Sequence, residues 1–203
     1  MRLTLNEVTH EFSPGRALFR PVTGTFVAGE TVALMGPSGA GKSTLLAIMG
    51  GLVVPSGGSV ARDGEGRACW VTQNPHGVSA RLARDHVVLP LLARGSSRRE
   101  AEVRSDRILD EFGLSDIGDQ PFSTLSGGQA QRLMLARGVA ANPALLLVDE
   151  PTAQLDQETA AEVEHSLQRL ADRGILVFVA THSASTQAAC QRGVHLERVS
   201  SNV

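Results

Sequence analysis

The feature that most constrains this chain is a glycine-rich segment between a short apolar run and a helix-like stretch. The apolar run covers residues 31–35, and residues 42–49 have helical composition. The segment fits the pattern G-x-x-x-x-G-K-[ST], in which backbone N–H groups at a helix N-terminus face phosphate groups. It therefore predicts a phosphate-binding loop that consists of Gly36, Pro37, Ser38, Gly39, Ala40, Gly41, Lys42, Ser43 and Thr44.

Lys42 is the only lysine among the 19 basic residues, so the chain otherwise uses arginine as its cation. Lysine differs from arginine because it carries a compact ammonium group on a flexible stem. The alternative interpretation, a glycine turn before an ordinary helix, gives no reason for this exception. The motif predicts that Lys42 binds phosphates and that the Ser43 hydroxyl is a Mg²⁺ ligand.

A second apolar run, residues 144–148, ends in the two carboxylates Asp149 and Glu150. In open α/β sheets, ligands bind at the carboxyl ends of the strands. We expect Asp149 to hold Mg²⁺ and Glu150 to orient and polarise an attacking water. Alone, the run could equally be a strand that enters an ordinary polar turn, but the phosphate-binding loop favours the functional interpretation.

The segment Leu125-Ser126-Gly127-Gly128-Gln129 precedes another helical stretch. A serine hydroxyl and free N–H groups at the positive end of a helix form an anion site. Serine is also a preferred N-cap residue, so the segment taken by itself favours a simple helix cap.

Together these motifs resemble the ATP-binding cassette (ABC) ATPases, and the resemblance extends over essentially the whole chain. The LSGGQ sequence at residues 125–129 is the signature of that family. The resemblance implies that Gln73 is the Q-loop residue that senses Mg²⁺ and contacts the partner, and that Asp156 is the D-loop aspartate. It also implies that His182 is the switch histidine at the γ-phosphate and that Phe12 stacks on adenine. In isolation, His182 would be interpreted as a structural histidine, and Phe12 nearly as readily as a core aromatic residue.

The resemblance implies an ATPase that one chain cannot complete. Residues 36–44 would bind ATP, and a second copy in a head-to-tail two-fold dimer would cap it with its signature residues. The implied catalytic residues are Lys42, Gln73, Glu150 and His182. The implied Mg²⁺ ligands are Ser43, Gln73 and Asp149, and the nucleotide-binding residues include Phe12, Ser126, Gly127, Gly128, Gln129 and Asp156.

Apolar strands alternate with helices, which predicts an α/β fold with a mostly parallel sheet covered on both faces. The resemblance makes this a P-loop NTPase core with an N-terminal antiparallel β subdomain and an inserted helical subdomain. We expect a single domain over residues 1–203, with the helical subdomain at about 79–142 and the core in 1–78 and 143–203. Leu3, Leu5 and Val8 are expected in an edge strand, and residues 175–180 in the last strand.

Size and composition restrict the number of domains, the kind of partner and the cellular compartment. The 203 residues, 42% of them hydrophobic, suit one core, and the net charge of −2 does not favour a nucleic-acid partner. Cys69 and Cys190 form no metal-spaced pair, which indicates a reducing compartment. No apolar run approaches the roughly 20 residues that a membrane span requires. The expected location is the cytoplasm, at the inner face of the cell membrane through a partner.

The resemblance implies integral membrane permease subunits as partners. Residues 87–95 are similar to a segment of the lipoprotein-release and macrolide-exporter branch, although an amphipathic structural helix would look much the same. This similarity favours export, or mechanical work on an envelope protein, over import. A competing hypothesis is a soluble ABC-type ATPase that acts on nucleic acid or the ribosome, and a third is a regulatory cassette with little turnover, against which the intact Lys42, Glu150 and His182 argue.

The sequence departs from the family pattern in three places. The D-loop has Ala153-Gln154 where the family usually has serine at the first position. The stretch between residue 49 and Gln73 is short, which predicts trimmed antiparallel strands. Residues 74–85, near the surface expected to meet a permease, lack a plain family pattern.

Overall fold

The computed structural model describes residues 1–153 and 155–199. The strands of these residues form two sheets. The strands are β1 (Arg2–Thr9), β2 (Val22–Val27), β3 (Thr31–Met35), β4 (Gly57–Asp63), β5 (Ala68–Val71), β6 (Leu145–Asp149), β7 (Leu176–Ala180) and β8 (Arg192–His195). The helices are α1 (Lys42–Gly50), α2 (Ala83–Ala93), α3 (Arg98–Glu111), α4 (Gly127–Ala140), α5 (Gln157–Ala171) and α6 (Ala184–Ala188). Two short 3-10 helices cover Ser115–Ile117 and Phe122–Thr124. The D-loop departure at Gln154 lies outside the described residues.

The larger sheet has the strand order β5-β6-β7-β3-β8, and its neighbouring strands are parallel. Successive residues of β6 face opposite sides of the sheet. Leu145 and Leu147 therefore join the core shared with α1 and the smaller sheet, whereas Leu146 and Val148 join the core shared with α2 to α5. The predicted α/β fold, with a parallel sheet covered on both faces, is confirmed.

The smaller sheet is antiparallel, with the order β2-β1-β4. The prediction that Leu3, Leu5 and Val8 lie in an edge strand is wrong, because β1 pairs on both sides. Leu3 lies opposite Phe26 on β2 and opposite Arg62 on β4. β4 falls in a stretch whose sequence indicates turns, and its side chains are mostly exposed, so no apolar alternation predicts it. The short stretch after α1 thus still contributes one antiparallel strand.

The helices α2, α3 and α4 lie between β5 and β6 in the chain. The sequence Ser97-Arg98-Arg99-Glu100 predicts a capping box, and it is present at the start of α3. The Ser97 hydroxyl accepts from the Glu100 N–H at 3.3 Å, and the Glu100 carboxylate accepts from the Ser97 N–H at 2.9 Å. Gly113 predicts the end of this helix after Phe112, and α3 ends at Glu111 with Phe112 as its C-cap residue. The composition of residues 79–125 predicts helix throughout, which is too broad, because Leu82 forms an isolated bridge with Pro121. The division at about residues 79 and 142 stays a prediction.

The C-terminal third of the fold corrects one prediction. The spacing of Val163, Leu167 and Leu170 predicts one apolar stripe on a helix, and all three are buried on α5. However, β7 is not the last strand, because β8 pairs with β3 at the edge of the parallel sheet. β8 has four residues that are exposed or half-buried, so its sequence contains no apolar run to indicate a strand. Within the described residues, no helix combines the length and apolar character needed to cross a membrane.

Candidate active site

The predicted phosphate-binding loop connects β3 to α1, whose first residue is Lys42. Gly41 caps this helix with φ 92°, a conformation that L side chains rarely adopt. A Cβ atom at Gly41 would lie 2.6 Å from Leu18 Cδ2 and 2.7 Å from Phe19 Cδ1. Both the backbone conformation and the close approach therefore require glycine at this position.

The Lys42 ammonium group is nearly buried, with 7% of the residue exposed. Its Nζ donates to the carbonyl oxygens of Gly36 at 3.0 Å and Pro37 at 3.3 Å. It also lies 3.4 Å from Oε1 of Glu150. A buried cation is stable only when it is paired and hydrogen-bonded, and these three oxygens meet that requirement.

Glu150 and His182 are brought together by the register of β6 and β7. Asp149 is paired with Ala180, and the Glu150 N–H donates to the Ala180 carbonyl at 2.8 Å. His182 follows two residues later, and its Nδ1 donates to Oε2 of Glu150 at 2.8 Å. One Glu150 oxygen thus faces Lys42 and the other faces His182.

The Glu150 backbone has φ 44°, in the left-handed region. Such a conformation costs a non-glycine residue on the order of 1–3 kcal/mol and is found preferentially at functional sites. Here it accompanies a carboxylate held between a cation and an imidazole. The strain therefore coincides with the residue predicted to act on water.

Asp149 ends β6 beside Ser43 of α1. Burial raises the pKa of the Asp149 carboxyl, and a hydrogen bond from the Ser43 side chain opposes that rise. The second carboxyl oxygen, Oδ1, is buried without a hydrogen-bond partner. A buried carboxylate oxygen beside a serine hydroxyl is a donor set that suits Mg²⁺.

These groups line one cavity of about 710 Å³. Its polar wall consists of residues from the phosphate-binding loop and from the carboxyl ends of β5, β6 and β7. Its apolar wall contains Leu18 and Phe12, and Phe12 is 74% exposed. Leu18 was not predicted, because one leucine between two strands carries no sequence signal. The lining residues predicted from the sequence are Phe12, Ser38, Gly39, Gly41, Lys42, Ser43, Thr44, Gln73, Asp149, Glu150 and His182.

Three predicted loop residues, Gly36, Pro37 and Ala40, support the cavity without lining it. The carbonyls of Gly36 and Pro37 hold the Lys42 ammonium, and the Ala40 side chain is fully buried against the core. Their contribution is to the shape of the loop.

The signature residues Ser126, Gly127, Gly128 and Gln129 do not line this cavity. They form the N-terminus of α4, where a capping box is closed in both directions. The Ser126 hydroxyl accepts from the Gln129 N–H at 3.2 Å, and the Gln129 side chain accepts from the Ser126 N–H at 2.9 Å. Within one chain, these residues therefore act as the N-terminal cap of α4, as the simple N-cap interpretation expects.

Asp156 likewise does not line the cavity. It is the N-cap of α5, where its carboxylate accepts from the Thr159 N–H at 3.0 Å and the Thr159 hydroxyl at 2.9 Å. These hydrogen bonds lower the pKa of Asp156. Its role within the chain is thus to start α5.

Comparison with known proteins identifies the family to which this fold belongs. The sequence profile of the family described as ABC transporter matches residues 19–153. The chain belongs to this family: it is an ABC-type ATPase and the ATP-binding subunit of an ABC transporter.

Two relatives are similar over nearly their full length. The lipoprotein-releasing system ATP-binding protein LolD 1 of Rhodospirillum rubrum is 38% identical over 213 aligned positions, which cover 96% of this chain and 94% of the relative. LolD of a Ruegeria species is 39% identical over 202 positions, which cover 91% and 89%.

Among solved structures, the ATP-binding cassette MJ0796, in a dimeric post-hydrolysis state bound to ADP and Pi, gives a TM-score of 0.83. It is 31% identical in sequence, and the match covers 96% of this chain and 94% of that one. The P-loop core with its antiparallel β subdomain and helical insertion is therefore confirmed as an ABC cassette fold.

Proposed function

We propose that Glu150 polarises the water that attacks the γ-phosphate of ATP and that His182 contacts the same phosphate. The observation that carries this proposal is the linked set Lys42, Glu150 and His182 in the cavity beside the phosphate-binding loop. Because His182 Nδ1 donates to Glu150, contact with phosphate falls to Nε2, which donates a hydrogen bond there when both ring nitrogens carry a hydrogen. Lys42 stabilises negative charge on the β- and γ-phosphates.

Mg²⁺ would be held by Ser43, Asp149 and Gln73. The unpartnered Oδ1 of Asp149 and the adjacent Ser43 hydroxyl support this assignment, and Gln73 lines the same cavity. When bound with ATP, the ion neutralises charge on the phosphates. Phe12 and Leu18 provide the apolar surface on which adenine stacks.

The active state is a head-to-tail dimer of this chain, in which Ser126, Gly127, Gly128 and Gln129 of one copy close over ATP bound by the other. This arrangement is supported by the position of the four residues outside the cavity, at the positive end of α4. ATP is then an interfacial ligand that favours the closed dimer, and hydrolysis removes the contacts that hold it. Asp156 belongs to the same interface.

The dimer drives integral membrane permease subunits at the inner face of the cell membrane. The LolD relatives, named as parts of a lipoprotein-releasing system, favour export or work on an envelope protein over import. The cargo we propose is accordingly a lipid-modified protein or a similar envelope substrate. The transport pathway itself would belong to the permease.

Two measurements test this function. Purified Glu150→Gln protein should bind ATP but lose turnover by at least about 100-fold, as expected when the residue that activates water is removed. Near-normal turnover would contradict the assignment.

Affinity purification of the tagged wild-type chain from detergent-solubilised membranes should recover a multi-span membrane protein in stoichiometric amounts. Recovery of soluble proteins or nucleic acid alone would contradict the transport role and leave the ATPase intact.

A further inference from the structure

A group of hydrogen-bonded side chains lies outside the cavity, between α5, α6 and the loop after β6. We call it the hydroxyl cluster, and its members are Thr152, Glu164, Ser183, Ser185 and Thr186. One oxygen of Glu164, Oε1, accepts from the Thr186 hydroxyl at 2.7 Å and from the Ser185 hydroxyl at 2.8 Å. Thr186 and Thr152 are 3.0 Å apart between their hydroxyl oxygens, and Ser185 and Ser183 are 2.9 Å apart.

The direction of these hydrogen bonds follows from counting hydrogens. Each hydroxyl has one hydrogen to donate. Thr186 gives its hydrogen to Glu164, so the hydrogen between the two threonines must come from Thr152. By the same reasoning, Ser183 donates to Ser185. Two chains of donors therefore converge on one carboxylate oxygen of Glu164.

One series of hydrogen bonds starts close in sequence to Glu150, and the other starts close in sequence to His182. Thr152 follows Glu150 by two residues, and Ser183 follows His182 directly. Thr152 and Thr186 are buried, with 7% and 0% of their surface exposed, so an unpartnered hydroxyl at either position would be costly. Glu164, which is half-buried, is the common acceptor that both segments share.

We propose that Glu164 is a positioning residue for the Glu150–His182 pair. Through Thr186 it fixes the segment that carries Glu150, and through Ser185 it fixes the turn that carries His182. Glu164 does not line the cavity that contains Glu150 and His182, so it acts on the pair through the hydroxyls that it holds. The inference rests on the proposed roles of Glu150 and His182.

The test compares steady-state ATP hydrolysis, nucleotide affinity and melting temperature in a series of full-length variants. Glu164→Ala removes the common acceptor and should lower kcat about ten-fold with KM for ATP changed less than about two-fold, because a small displacement of catalytic groups affects turnover more than binding. Glu164→Gln should retain most of the activity, since its amide oxygen can accept both hydroxyls. Thr186→Val, which keeps the buried volume and removes only the hydroxyl, should resemble Glu164→Ala.

Glu162→Ala is the matched control, because it removes a carboxylate from the same helix that pairs with Arg132 instead. Its kcat should equal that of the wild type. An unchanged kcat in Glu164→Ala overturns the proposal. A fall in kcat also overturns it if Glu162→Ala shows the same fall, or if nucleotide affinity and melting temperature fall equally in Glu164→Ala. If Glu164→Ala does not fold, Thr186→Val decides the question by the same criteria.

Glu150→Gln, measured alongside, separates this inference from the proposed function. If Glu150→Gln abolishes turnover while Glu164→Ala and Thr186→Val do not alter it, only the positioning role fails. If Glu150→Gln retains turnover, the proposed catalytic assignment fails, and with it the premise of the inference.

Discussion

Lys42 is the only lysine of this chain, and its surroundings suit a lysine. Its ammonium group is nearly buried against two carbonyls of the loop that holds it and close to Glu150. A compact, rotatable ammonium can make these contacts, whereas the planar guanidinium of arginine is larger and donates in fixed directions. The sequence and the structure thus give the same reason for the single lysine.

This difference predicts the outcome of Lys42→Arg. The charge is kept, but the fork does not fit the loop, so we expect ATP turnover to fall by at least about 100-fold while the protein stays folded. The measurement is phosphate release together with circular dichroism of the purified variant. Near-wild-type turnover would show that charge alone is sufficient at this position.

A second prediction about a single residue concerns the thiol of Cys190. Burial raises the pKa of its thiol to about 11, and the nearby Glu164 carboxylate adds to the rise. Because the thiolate is the reactive form, Cys190 should be alkylated by iodoacetamide at pH 8 far more slowly in the native protein than in urea. Mass spectrometry of digested samples measures this directly, and equal rates would contradict the described packing.

At the scale of elements, the contact between α4 and α5 depends on Gly128. A Cβ atom there would lie 1.9 Å from Thr159 Cγ2, and Thr159 is held by Asp156. Gly128→Ala should therefore lower the free energy of unfolding by about 1–3 kcal/mol, as overpacking does. Gly127→Ala is the control, because its Cβ would meet only Leu155 Cδ2 at an ordinary 3.5 Å. Chemical denaturation of both variants measures the difference, and equal stabilities would contradict this packing.

Helix α2 gives a prediction about pH. His86 on this helix is buried; its Nε2 accepts from the Val78 N–H at 3.0 Å, and its Nδ1 donates to the Leu82 carbonyl at 2.9 Å. Burial lowers the pKa of His86; the Leu82 hydrogen bond and Asp85 oppose the change, and Arg137 and Arg81 add to it. The unfolded chain therefore binds this proton first as the pH falls.

The contribution of neutral His86 to stability should be complete above its unfolded pKa of about 6.5 and lost as the pH falls from there toward the folded value. Melting temperatures measured between pH 5 and pH 8 test this, with His86→Gln as the comparison. The variant should show a weaker dependence on pH than the wild type in this window. The same slope in both proteins would exclude His86 as the cause.

The success of the sequence-based predictions also differs between elements. The β3 to α1 segment and the end of β6 were predicted closely, because apolar runs and a phosphate-loop motif coincide there. β4 and β8 were not predicted, since both are exposed or half-buried and are held by pairing with β1 and β3 rather than by an apolar pattern. Likewise, Leu18 reaches the cavity, and Glu164 the hydroxyl cluster, through tertiary contacts that no local spacing encodes.

In the whole molecule, the residues proposed to contact ATP lie in two regions that one chain does not bring together. The cavity contains the groups proposed to bind and hydrolyse ATP, while the N-terminus of α4 presents its signature residues elsewhere. The proposed two-fold dimer would bring these regions together, because each copy would complete the site of the other. The dimer should therefore depend on ATP and be lost after hydrolysis.

The most direct test of this account is the molar mass of Glu150→Gln, measured by light scattering with saturating Mg-ATP and with Mg-ADP. We expect twice the mass of one chain with ATP and the mass of one chain with ADP, because the variant retains the interfacial ligand without hydrolysing it. The double variant Lys42→Arg/Glu150→Gln should remain monomeric in both conditions. A monomeric Glu150→Gln protein that demonstrably binds ATP would contradict the shared site.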